Sequence, residues 1–108
     1  WEVPTANGFI RVHVANIIYA KAEGSYTLLY LADLAKPMTV SRPLGDVESE
    51  LGPGFLRTHR SFLVNPDHVR GYTRTDGDRL ELSNGTNVAI ARDRVAAVLQ
   101  FLKGPAGK

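Results

Sequence analysis

The chain has 108 residues and no Cys, which bounds it to one domain and excludes a disulfide framework, a thiol nucleophile and a Cys-based zinc finger. Hydrophobic residues make up 44% and charged residues 22%, and no apolar run approaches the about 18 residues of a membrane span, so the composition is that of a globular domain large enough to fold without a staple. The formal net charge of +2 is unevenly divided: residues 1–54 carry four basic against six acidic side chains, residues 55–108 nine against five, and nine of the thirteen basic residues are Arg, whose planar fork suits phosphate and guanine.

Short alternating segments between turn residues dominate the chain and predict β structure. Because it begins at Trp1 rather than Met and shows no signal peptide, the sequence is expected to be part of a longer protein. Residues 1–7 are then a linker remnant and the core of the domain runs over 8–103. In Phe9–Val14, Ile10, Val12 and Val14 share one face. Asn16 marks a turn before Ile17–Ala22, and Glu23-Gly24-Ser25 reads as a tight hairpin in which Gly24 takes a positive φ. Tyr26–Leu31 is apolar on both faces, which predicts a central strand, and Asp33–Lys36 turns into a short strand at Met38–Val40. A short helix follows. Pro43 suits its first turn, Leu44, Val47 and Leu51 form its apolar stripe, and Asp46, Glu48 and Glu50 form a solvated acidic side before Gly52-Pro53 end it.

The second half resumes with strands at Phe55–Thr58 and Phe62–Asn65, the latter closed by Pro66. Val69–Arg74 follows, with Gly71 a candidate bulge. Asp76-Gly77 turns into Arg79–Ser83, and Asn84-Gly85 is a strong hairpin signal leading to Asn87–Ile90. An amphipathic helix over Arg92–Lys103, with Val95, Val98, Leu99 and Leu102 inward, ends at Gly104-Pro105, and 104–108 should fray. The expected core is Ile10, Val12, Leu29, Leu31, Phe62, Val64, Leu80, Leu82, Val88, Ile90, Val98 and Leu99.

The order of elements excludes a P-loop or Rossmann unit, since no Gly-rich loop joins a strand to a helix, and it excludes a helix-turn-helix. Any DNA binding must come from loops on a β scaffold. Three loops are candidates. Lys21–Tyr26 lifts a cation, small polar groups and an aromatic together on a hairpin, or is a plain surface turn. Thr58-His59-Arg60-Ser61 interrupts two apolar strands, as a segment leaving the core does, with His59 and Ser61 structural and Arg60 outward. Arg92-Asp93-Arg94 places two cations where a helix macrodipole disfavours them and a phosphate would favour them, while Asp93 alone is explained as a cap.

The run from Phe55 through His59-Arg60-Ser61 to Asn65 closely resembles the signature of the LytTR family of bacterial DNA-binding domains. Ile18–Thr27 is similar to that family's first block, and Leu80–Ile90 with Ala91-Arg92 resembles its third; together they cover roughly residues 8–102. The resemblance implies a mostly-β fold of stacked antiparallel sheets with one short and one C-terminal helix. It implies sequence-specific binding of double-stranded DNA at paired short direct repeats in promoters, through loops in successive grooves. It also implies the cytoplasmic output half of a bacterial response regulator or two-component system, behind a receiver or membrane sensor domain, monomeric alone and paired on DNA. By position in the motifs, contacts fall at or beside Tyr26, with Ser25, then on Arg60 and on Arg92, while Lys21, Arg57 and Arg94 are read as phosphate contacts that orient the protein on the duplex. The match departs at Ala91, where members often have Ser, which removes a hydroxyl donor.

Two other classes compete. A β-rich RNA or single-strand binder needs aromatics exposed on a sheet face, whereas Phe55, Phe62 and Phe101 look inward by pattern. A protein-interaction module fits the basic second half less well. His59 and Ser61 are too close in a strand context for a hydrolase triad, and no nucleophile elbow accompanies them, so no enzyme, cofactor or metal site is expected.

Overall fold

The structure, a computed structural model, describes residues 1–103. The tail expected to fray, 104–108, lies outside the described residues. A two-stranded ribbon pairs β1 (Glu2–Thr5) with β2 (Gly8–Arg11). A five-stranded antiparallel sheet contains β3 (Ile17–Glu23), β4 (Tyr26–Leu31), β5 (Met38–Val40), β6 (Leu56–His59) and β7 (Phe62–Val64) in the order β5-β4-β3-β7-β6. A three-stranded sheet holds β8 (Val69–Thr73), β9 (Arg79–Leu82) and β10 (Asn87–Ala89). Helix α1 (Leu44–Leu51) lies between β5 and β6 in sequence, and α2 (Val95–Lys103) closes the chain. The mostly-β fold of stacked antiparallel sheets is therefore present.

The five-stranded sheet is the middle layer, because its two faces feed different cores. Ile17, Ala20, Leu29, Leu31, Val40 and Leu63 pack with Val3 of the ribbon and with Leu44 and Val47 of α1. Ile18, Tyr19, Leu56 and Val64 pack with Leu80, Leu82, Val88 and Ile90 around the three-stranded sheet and with Val98 of α2. A register shift between Ile17 and Tyr19 against β4 is a bulge, and it turns the neighbours Ile18 and Tyr19 toward the same core. Tyr19 stacks on Tyr30 with ring centroids 4.3 Å apart. Burial, with Tyr30 beside it, pushes the Tyr19 hydroxyl up to about 12.

Polar residues of the Phe55–Asn65 run hold the layers in place. Buried Asn65 donates from Nδ2 to the Ile17 carbonyl at 2.9 Å and accepts the Asp67 N–H at 3.0 Å, capping the 3-10 turn Pro66–His68. The His68 ring bridges Ser83 Oγ and the Ala15 carbonyl, each at 2.8 Å. A carbonyl only accepts, so Nε2 carries the proton.

Several expectations are corrected. Residues 2–5 are a strand rather than a linker, and Val3 is fully buried. Ile10 is 47% exposed, because β2 lies one strand outside Val3 in the ribbon and only the inner strand reaches the core. Val14 belongs to a 3-10 turn, Val14–Asn16, which breaks the alternation after Val12 and leaves it exposed. Phe62 and Leu99 are half-buried rather than core, and Phe101 is exposed. α2 is shorter than expected: residues 92–94 form a 3-10 turn closed by Arg94 N–H to the Ala91 carbonyl, without a side-chain cap. Of its stripe only Val98 is buried, in the core that joins Leu56 of β6 to Leu80, Leu82 and Val88. Pro43 precedes α1 as an extended N-cap. The Gly71 bulge and the Gly24 and Gly85 turns are present.

Candidate nucleic-acid interface

The three candidate loops lie far apart in the chain, and the sheet order collects them at one end of the molecule. β3 and β4 are joined by the two-residue turn Gly24-Ser25, with Glu23 opposite Tyr26 and Gly24 at φ 65°. β7 runs antiparallel to β3 and pairs Phe62 with Lys21, so the β6–β7 turn sits beside that hairpin. The Ala22 N–H continues the contact to the Ser61 carbonyl at 2.9 Å. On the other side, buried Thr58 clamps the third loop. Its carbonyl accepts the Ala91 N–H at 2.8 Å and its hydroxyl donates to the Ala89 carbonyl at 3.0 Å. With strands about 4.8 Å apart, the tips from β4 across to β6 span roughly 14 Å, and the segment at Ala91 adds roughly 5 Å.

Along this edge Ser25, Arg60, Arg92 and Arg94 are exposed, Tyr26 is 41% exposed, and Lys21 is half-buried within β3. Among the described residues no ion pair engages Arg60, Arg92 or Lys21, whereas Arg11 pairs with Glu2 and Arg70 with Glu81. Arg94 donates from Nη1 to the Arg57 carbonyl at 3.1 Å, which ties the 3-10 turn to β6. His59 and Ser61 shape the β6–β7 turn, as expected. His59 Nδ1 accepts the Ser61 N–H at 3.0 Å, and its ring lies 5.7 Å from Phe62. A backbone N–H only donates, so the neutral ring carries its proton on Nε2.

Arg57, expected to meet a phosphate, is set differently from the other cations. It is turned inward, toward the carbonyls of His59 and Arg60 and the carboxylate of Glu48, so its guanidinium is occupied within the protein. Glu48, expected on the solvated side, keeps its side chain 39% exposed and is in addition an ion-pair partner. A sequence signal for this existed: Glu48 is four residues from Leu44 and three from Leu51, which places it at the margin of the apolar stripe. The exposed aromatics Phe9, Tyr26, Tyr72 and Phe101 lie on four separate elements, β2, β4, β8 and α2, rather than side by side on one sheet face as a stacking platform places them.

Residues 7–103 match the family of LytTr DNA-binding domains. Over 95 residues the chain is 33% identical to the CO-responsive transcriptional regulator RcoM of Rhodospirillum rubrum, a match covering 84% of this chain and 39% of that protein. A solved LytTr DNA-binding domain from Bacillus cereus has the same fold, with a TM-score of 0.75 and 27% identity over 97% of this chain and 96% of that one. The chain belongs to the LytTR family and is a DNA-binding domain of the kind found in transcriptional regulators. It spans 39% of the length of the curated relative. No helix among the described residues is long and apolar enough to cross a membrane.

Proposed function

We propose that this domain reads the sequence of double-stranded DNA through Arg60 and Arg92, flanked by Ser25 and Tyr26 at the hairpin, and that Lys21 and Arg94 meet phosphates. The observation that carries this reading is the Thr58 clamp, which sets the Arg60 turn beside the Arg92–Arg94 turn while Ala22 and Ser61 join the same turn to the hairpin. An Arg on a turn has the reach and the fork to bond a guanine edge, whereas Lys21, half-buried in a strand, offers a point charge. The roughly 19 Å edge is close to half a turn of B-DNA, the spacing between adjacent grooves. The molecule is 44 Å long, which exceeds one helical turn of about 34 Å.

The domain acts on paired direct repeats, one copy per repeat, as the output part of a longer bacterial regulator whose other domains receive the signal. Selection of bound duplexes from a random pool tests this. The expected result is an enriched motif that recurs in the same orientation about one helical turn away; a pool that stays random after repeated rounds overturns it.

A further inference from the structure

Arg57 is built into the protein in a way a phosphate contact would not need. Its side chain is 20% exposed and meets three acceptors at once. Nε donates to the His59 carbonyl at 3.0 Å, Nη2 to the Arg60 carbonyl at 2.6 Å, and Nη1 to Glu48 Oε1 at 2.5 Å. The two carbonyls belong to the turn that presents Arg60. A guanidinium meets them and a carboxylate together in a set geometry, because its donors are fixed in one planar fork, which an ammonium lacks. The carboxylate comes from α1, which lies outside the three loops, directly precedes β6 in the chain and packs against the opposite core. Arg57 also accepts Arg94 through its own carbonyl, so one residue touches both Arg-bearing turns.

We infer that Glu48 and Arg57 are positioning residues for DNA recognition: the α1 carboxylate holds the Arg57 fork, and the fork holds the His59-Arg60 backbone in the pose from which Arg60 meets a base. The inference rests on the assignment of Arg60 as a reader. It makes a prediction of unusual sign. A carboxylate near a phosphate-facing edge repels DNA, so simple electrostatics has its removal strengthen binding to every duplex. Removal also frees Arg57 to reach a phosphate. Positioning instead requires that binding to the preferred sequence weaken.

Glu48→Gln keeps the shape and removes the charge. Its affinity is measured for the duplex that wins the selection and for a random duplex of equal length, alone and combined with Arg60→Ala, with melting checked for each variant. Glu48→Gln is expected to weaken the preferred duplex roughly five- to thirtyfold and to leave the random duplex unchanged or tighter. In the Arg60→Ala background it should cost little more on the preferred duplex, because the group it positions is gone. Arg57→Lys keeps the charge but loses the fork, and should reproduce the loss; it carries the same comparison if Glu48→Gln fails to fold. Equal strengthening on both duplexes, or full additivity with Arg60→Ala, overturns the inference while leaving Arg60 a reader. An Arg60→Ala variant that keeps its preference overturns the reading of the interface, and the inference falls with it.

Discussion

Arg92 and Lys21 carry the same charge at the same end of the domain, yet their settings suit different partners. Arg92 is exposed on a turn, and Lys21 is half-buried in a strand. Lys21→Ala is expected to weaken preferred and random duplexes alike and to reduce the salt slope by about one, as loss of one phosphate contact does. A salt titration on both duplexes checks this, and a loss confined to the preferred duplex would make Lys21 a base reader. Thr58 matters for a different reason. Thr58→Val removes the hydroxyl that satisfies the Ala89 carbonyl and should cost about 1–3 kcal/mol in denaturant unfolding. The division of labour among His59, Arg60 and Ser61 was legible from the sequence, because a polar cluster between two apolar strands must leave the core. The inward turn of Arg57 was not, since a sequence displays a charge and not the acceptors that surround it.

At the scale of elements, alternation and turn chemistry carried most of the fold. Asn84-Gly85, Glu23-Gly24-Ser25 and the double-faced apolar run of Tyr26–Leu31 placed two hairpins and an interior strand. β1 escaped because Glu2-Val3-Pro4-Thr5 has one large apolar residue and a Pro, which argues against a strand, and its pairing partner is an outer strand with little core of its own. The predicted last helix exceeds α2 at its start because periodicity does not distinguish a 3-10 turn from the first turn of an α-helix. Val64 is fully buried between β3 and β6 and faces the second core. Val64→Ala should destabilise the domain by about 2–3 kcal/mol through the cavity it leaves. An unchanged melting temperature would mean that β7 does not sit where the two cores meet.

At alkaline pH the burial of Tyr19, with Tyr30 beside it, enters the stability of the whole molecule. The folded Tyr19 hydroxyl ionises only near about 12, against about 10 when exposed in the unfolded chain. Between those values the unfolded chain gives up the proton and the folded one keeps it. The stabilisation is therefore complete below about pH 10 and is lost as pH rises toward about 12, an effect of about 2–3 kcal/mol. Denaturant unfolding near both limits should show this loss in the wild type and a smaller one in Tyr19→Phe; equal losses would assign the alkaline transition elsewhere.

The domain's encounter with DNA is also a property of the whole molecule. If about four to six phosphates are neutralised, log K should fall against log[salt] with a slope of roughly −4 to −5. The proposal that specificity rests on Arg60 and Arg92 is tested most directly by one measurement. The affinities of wild type, Arg60→Ala and Arg92→Ala are compared on the selected duplex and on a random duplex at one salt concentration, with folding verified by melting. Each substitution should cost about 1–3 kcal/mol on the selected duplex and much less on the random one. Equal losses on the two duplexes for both variants would contradict the account, leaving Arg60 and Arg92 as phosphate clamps that read no sequence.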